Sequence, residues 1–151
     1  MNIESVRENR KKYLPLLLLA DEQEDMIDRY LLRGDMFVLK DGHKALASIV
    51  VTDEGNGVLE IKNLAVDPAV HKRGYGRMMI EFIASHYRDR YHTLLVGTGD
   101  SPLTVPFYER CGFVRSHAVK DFFTQHYHHP IIEDGILLVD MIYLKRLIGD
   151  E

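Results

Sequence analysis

The stretch VDPAVHKRGYGRMMIEF, residues 66–82, leaves a short apolar segment, turns through a basic loop with Gly74 and Gly76, and enters an amphipathic pattern at helical spacing. Two readings of that turn compete. The glycines shape a tight strand-to-helix connection, or they hold backbone N–H groups open so that phosphate sits on them. The first N–H groups of a helix have no partner within it, and the helix dipole favours negative charge there. Gly74 and Gly76 carry no side chain to block close approach, and Lys72, Arg73 and Arg77 add positive charge. The sequence GYG is shorter than the dinucleotide fingerprint GxGxxG and lacks the lysine–serine ending of an NTPase loop.

Outward from the turn, VLEIKNLAV (58–66) precedes it as a strand, and residues 75–88 follow as a helix with Tyr75, Met79, Phe82, Ile83 and Tyr87 near one face. Upstream, MFVLK (36–40) and ALASIVVT (45–52) are strand-like, and the Asp41-Gly42 pair between them signals a hairpin. These runs make a three-strand meander. The first residues, NIES, suggest a very short strand, followed by helical stretches at about 6–19 and 22–33. Downstream, HTLLVGT (92–98) reads as a buried parallel strand. Pro106 places the next helix from about Thr104 to Gly112. FVRSHAV (113–119) and GILLVDMIYLKR (135–146) complete the strands, and the apolar part of the latter (136–144) suggests a dimer edge. The order predicts an α/β domain, with a mixed central sheet whose antiparallel meander passes into a parallel β-α-β unit, flanked by helices.

A chain of 151 residues fits one domain with its own core. Its net charge of −4 argues against a dedicated nucleic-acid binder. Cys111 is the single cysteine, so no internal disulfide forms and a reducing compartment is the natural setting. RENRKKYLPLLLLA (7–20) imitates a secretory leader, but its apolar run is short and DEQED follows directly. It reads instead as an amphipathic helix that buries its leucines, with no membrane span and a cytoplasmic location.

The flanks of the glycine turn discriminate between its two readings. LEIKNLAVDPAVHKRGYGRMMIEF resembles the central motif of the GNAT superfamily of N-acetyltransferases, where V-D-P leads to Q/R-x-x-G-x-G/A. The pattern falls on His71-Lys72-Arg73-Gly74-Tyr75-Gly76, with His71 in place of the usual Gln or Arg. FYERCGF (107–113) looks like the family's second signature, a helix bearing Tyr that runs into Gly-Phe. LLLLAD, GTGD, DFFTQHY, PIIEDGI and DM are similar to a branch of small bacterial GNAT proteins of uncertain substrate. The matches cover nearly the whole chain in order.

The resemblance implies an acetyl-CoA-dependent acyltransferase. The pyrophosphate would sit on the amides and cations of His71 to Arg77. The pantetheine arm would pair with the backbone of Leu64, Ala65 and Val66, where this strand and its parallel neighbour splay apart. The family often has an Asn near Asp100 or Ser101; this chain has none, and Ser101 is the polar residue left on the cofactor side.

Acetyl transfer to an amine needs a base for a protonated acceptor, donors for an oxyanion and a proton for the departing thiolate. Tyr108 matches the family's acid. The competing reading of Tyr108 is aromatic packing, a job open to Phe107 as well. Glu60 is the candidate base and in alternation shares a face with Lys62, Leu64 and Val66. It equally suits an ion pair with Lys62, and many family members use an ordered water chain instead.

FFTQHYHHPIIEDG (122–135) reads as a loop beside the acceptor site, with Tyr127, Glu133 and Asp134 able to attract a cationic amine. His126, His128 and His129 lie there too, but their spacing and the absence of nearby Cys do not make a common zinc set, so no metal is expected. Cys111 reads as a small core residue, which favours direct transfer in a ternary complex over an acetyl-cysteine route. The rival from another class is a CoA-binding regulatory module of the same fold without turnover.

Overall fold

The computed structural model describes residues 1–149. The chain opens with strand β1 (Asn2–Val6), then a 3-10 turn (Arg10–Tyr13), helix α1 (Leu14–Ala20) and a single-turn helix α2 (Glu24–Ile27). Strands β2 (Asp35–Asp41), β3 (Lys44–Asp53) and β4 (Val58–Val66) form the expected meander. Helix α3 (Tyr75–Tyr87), strand β5 (Thr93–Gly99), helix α4 (Val105–Arg110) and strand β6 (Val114–Val119) follow. Helix α5 (Phe122–His126), a small hairpin of β7 (Ile132–Glu133) and β8 (Ile136–Leu137), and strand β9 (Met141–Leu147) end it.

Seven strands form one sheet in the order β1-β2-β3-β4-β5-β9-β6, and only β4 and β5 pair in parallel. The fold is therefore the mixed α/β sheet anticipated. No helix among the described residues is long and apolar enough to cross a membrane.

Helix α3 covers one face of the sheet. Met79, Ile80, Ile83 and Tyr87 are buried at i, i+1, i+4 and i+8, and they pack on Ile49, Leu59, Leu94 and Leu144. Each such side chain contributes roughly 1.5–3 kcal/mol on burial, so this stripe anchors the helix that follows the glycine turn. The opposite face carries a second cluster in which Leu17 of α1 and Ile27, Tyr30 and Leu31 meet Met36, Val38 and Val50. The apolar run that imitates a leader is thus a structural part of the domain. A third cluster, Phe123, Ile131 and Leu138, sits under α5 and the small hairpin.

Three expectations are corrected. The stretch 135–146 is not one strand: it breaks after Leu137 and resumes at Met141. Strand β9 lies between β5 and β6, so it offers no free edge for a dimer; the edges are β1 and β6. Residues 22–33 hold one helical turn followed by mixed turns, with Tyr30 N–H on the Ile27 carbonyl and Arg33 N–H on that of Tyr30. The Arg10 side chain takes the carbonyls of Leu31 and Gly34, which would otherwise serve a continuing helix.

Candidate active site

Strands β4 and β5 run together only from Val58↔Thr93 to Ile61↔Val96. Beyond that point β4 continues to Val66 against β3, while β5 continues to Gly99 against β9. A wedge opens between them. Asp67 N–H donates to the Leu46 carbonyl at 2.8 Å. By the two-residue alternation of an antiparallel ladder, Asn63 and Ala65 direct their N–H and C=O groups at β3. Leu64 and Val66 direct theirs into the wedge. One of these groups is taken: the Val66 carbonyl lies 2.8 Å from Nε2 of His71. That contact ties the basic turn to the end of β4, a positional task for the histidine that stands in place of Gln or Arg.

The wedge opens into a cleft of about 830 Å³. At one end stands the start of α3. Gly74 precedes the helix with φ +83°, and a Cβ placed on it would meet nothing within 4 Å. The first bond of the helix runs from Met78 N–H to the Gly74 carbonyl, so the N–H groups of Tyr75, Gly76 and Arg77 have no partner inside α3. Gly76 is tight instead: a Cβ there would lie 3.1 Å from the Phe107 ring, which lets α3 approach α4 closely. His71, Lys72, Tyr75 and Arg77 line this end, and Arg73 does not.

Tyr108 of α4 lines the middle of the cleft with its ring edge-on to Phe107 and Phe113. Burial, with the neighbouring Cys111 and Glu133 adding to it, pushes the phenol well above its ordinary range, so it holds its proton at neutral pH. Cys111 is itself 4% exposed in the main core, and burial raises its thiol. It is placed as a packing residue.

Glu60 does not join Leu64 and Val66 on one face. Ile61 pairs with Val51 and Asn63 with Val50, so Lys62 is an extra residue in β4. This bulge shifts the alternation. Leu59, Ile61, Leu64 and Val66 face the α3 side, whereas Asn63 reaches Leu17 and Tyr30 on the other. Glu60 is buried, outside the cleft lining, and paired with Lys62 at 2.9 Å. Burial raises its carboxyl above the usual range, against the pull of Lys62. Lys62 itself lines the cleft.

The far wall is acidic. Tyr127 and Glu133 line it; Asp134 lies in the β7–β8 turn outside the lining. Glu133 is raised by burial, with Ser101 opposing the shift. Ser101 is buried behind the wall, where its Oγ accepts from Leu103 N–H at 3.1 Å. The sequence reading missed Asp21, which lines the cleft and accepts from Tyr127 at 2.7 Å and Tyr30 at 3.0 Å. It also missed Asn63, whose place on the wall depends on the bulge. His128 and His129 turn away to Asp25 and Glu22, at 3.0 Å each, and His126 packs on Phe122. Among the described residues no three His, Cys, Asp or Glu side chains are grouped to hold a metal ion.

Residues 33–115 match the family model of the acetyltransferase (GNAT) domain. Over 146 residues the chain is 32% identical to the uncharacterized N-acetyltransferase YvbK of Bacillus subtilis (strain 168), covering 95% of this chain and 94% of that protein. A crystal structure of a GNAT family acetyltransferase from Elizabethkingia anophelis with acetyl-CoA bound is similar, with TM-score 0.91, 30% identity and 97% of each chain covered. So is that of a Bacillus subtilis acetyltransferase in complex with CoA, with TM-score 0.87, 32% identity and 97% of each chain covered.

Proposed function

The chain belongs to the GNAT acetyltransferases and is an acyltransferase; from that premise we propose that it moves the acetyl group of acetyl-CoA directly onto a primary amine of a small molecule, peptide or protein while both substrates are bound. The observation that carries this reading is the wedge after Ile61↔Val96, with the backbone of Leu64 and Val66 facing into it beside the open amides of α3. Acetyl-CoA and CoA are present in the two similar crystal structures. The residues here fit that substrate: an extended amide-bearing arm matches a strand edge, and a pyrophosphate matches a helix start with Lys72 and Arg77 beside it.

In this mechanism the N–H groups of Tyr75, Gly76 and Arg77 hold the pyrophosphate, with His71, Lys72, Arg73 and Arg77 completing the turn. Leu64 and Val66 align the pantetheine arm, with Ala65 fixing the strand to β3, and an N–H in the wedge polarises the thioester carbonyl. The amine nitrogen forms its bond to the carbonyl carbon as the C–S bond breaks. Tyr108 gives its proton to the leaving sulfur. The ammonium first gives one proton to water in the cleft and outward past Lys62 to Glu60, whose buried carboxyl has a raised proton affinity. The second N–H proton, released as the amide forms, returns through water to the Tyr108 oxygen. Tyr127, Glu133 and Asp134 attract the amine, and Ser101 supports Glu133. A cytoplasmic setting, supported by the free Cys111, belongs to the same proposal.

Steady-state release of free thiol from acetyl-CoA, measured across a panel of amines, tests the reading. Amine-dependent release is expected. Acetyl-CoA binding with no release above the hydrolytic background for any amine would replace it with a binding module.

A further inference from the structure

This inference rests on the transferase reading and concerns what the acidic wall accepts. His71, Lys72 and Arg77 stand at the glycine-turn end of the cleft, Lys62 and Arg110 line it elsewhere, and Asp21, Glu22 and Glu133 make its acidic wall. Glu22 is paired with His129 at 3.0 Å. Asp21 has no cationic partner among the described residues. Its two carboxylate oxygens are instead fixed by phenols, Oδ1 by Tyr127 at 2.7 Å and Oδ2 by Tyr30 at 3.0 Å. Burial raises Asp21 above the usual carboxylate range, and the two hydroxyls together with the Gln23 backbone oppose the shift.

A second observation is independent of the acidic groups. Asn63 is 2% exposed and lines the cleft at the wedge. Its Nδ2 donates to the Leu17 carbonyl at 3.1 Å and to the Tyr30 hydroxyl at 3.0 Å, which leaves Oδ1 buried with no partner. Buried acceptors left unpaired are uncommon and destabilising. Tyr30 therefore links the Asn63 amide, whose carbonyl oxygen is orphaned, to a fixed carboxylate at the end of α1. Both call for N–H donors, and an alkylammonium supplies three donors and no acceptor.

We propose that Asp21, held by Tyr30 and Tyr127, receives an ammonium group of the acceptor, with Asn63 Oδ1 accepting a further N–H nearer the wedge. The acceptor is then an aliphatic amine whose charge is not balanced by a carboxylate of its own. A carboxylate on the acceptor would face Asp21 and Glu133.

Cadaverine and δ-aminovalerate test this, being alike in length and differing in one terminal group. Both are titrated into protein saturated with CoA, and both are offered as acceptors with acetyl-CoA. Cadaverine is expected to bind and to be acetylated with at least tenfold higher kcat/KM. Asp21→Asn is expected to raise the cadaverine KM roughly 10- to 100-fold, the size of one charged hydrogen bond, and to leave acetyl-CoA affinity and most of kcat in place. Asp21→Glu, which keeps the charge, recovers part of the loss. Tyr127→Phe keeps the carboxylate and the packing and gives a smaller rise, which holds the test open if Asp21→Asn folds poorly. Equal use of the two amines, an unchanged KM in Asp21→Asn, or no binding of cadaverine to the CoA-saturated protein overturns the proposal. Failure to bind acetyl-CoA is a different result, which overturns the transferase reading and takes this one with it.

Discussion

Tyr127 donates its hydroxyl hydrogen bond to Asp21 across 2.7 Å, joining positions 106 residues apart in the chain. Around this contact the segment after α1 is zipped to the segment after α5. Gln23 is 8% exposed and serves both sides, accepting from His128 N–H at 2.9 Å and donating to the His126 carbonyl at 3.3 Å. The acceptor end of the cleft is thus built from two segments that only the fold brings together.

Gln23→Leu should separate them while keeping volume. The His128 N–H and His126 carbonyl lose their partner, so about 1–3 kcal/mol of stability is expected to go. Hydrogen exchange at residues 126–129 should quicken and the acceptor KM should rise, with acetyl-CoA affinity unchanged. Exchange no faster than in the parent would show that the zipper does not hold the wall.

Tyr108→Phe separates chemistry from packing. The ring stays between Phe107 and Phe113, at 5.1 and 5.6 Å between centroids, so the melting temperature should hardly move. Loss of a general acid should lower kcat about 100-fold or more, with KM for acetyl-CoA unchanged. Full activity in the variant would assign the proton to another group.

Gly74 and Gly76 should fail in different ways. Gly74→Ala meets no neighbour but must hold φ near +83°, so a loss of roughly 1–2 kcal/mol is expected together with a reshaped turn. Gly76→Val pushes on Phe107 and should cost about 1–3 kcal/mol by overpacking. Both should weaken acetyl-CoA binding; calorimetric titration that found either at parental affinity would detach the turn from phosphate.

Stability should peak on the acid side of neutrality. Asp21, Glu60 and Glu133 have carboxyls raised chiefly by burial, so the folded chain binds more protons than the unfolded one. Their contribution is full below the unfolded values near 4 and is lost as pH rises through the folded ones. Glu81, lowered by its bond to Arg146, acts oppositely: its contribution is present above the ordinary Glu value and lost as pH falls through the folded one. Urea midpoints should therefore rise as pH falls from neutrality toward the ordinary carboxylate range near about 4, and fall again below it. Glu60→Gln should flatten the upper limb; an unchanged slope would show that Glu60 does not titrate in that window.

The parts legible in the sequence are those whose meaning is local. The glycine turn, the meander and its Asp41-Gly42 hairpin, and Tyr108 on a short helix before Gly112-Phe113 are written in adjacent residues. What escaped depends on partners distant in sequence. Period-two alternation put Glu60 with Leu64 and Val66, but the extra residue Lys62 arises from pairing with Val50 and Val51 and has no signature of its own. Asp21 entered the sequence reading only as the start of DEQED after the leucine run, because Tyr30 and Tyr127 fix it from elsewhere. Strand β9 was foreseen as a strand, yet its insertion between β5 and β6 is a fact of topology that apolar pattern does not encode.

The central claim is that the wedge and the glycine turn hold acetyl-CoA, and thermal unfolding with and without it, with NADH and ATP as controls, tests that most directly. At about a hundred times its dissociation constant a ligand adds roughly 2.7 kcal/mol, which for a domain of this size raises Tm by about 5–10 °C. The account predicts that rise with acetyl-CoA and not with either control. An unchanged Tm at saturating acetyl-CoA would contradict it and leave the turn a plain connector between β4 and α3.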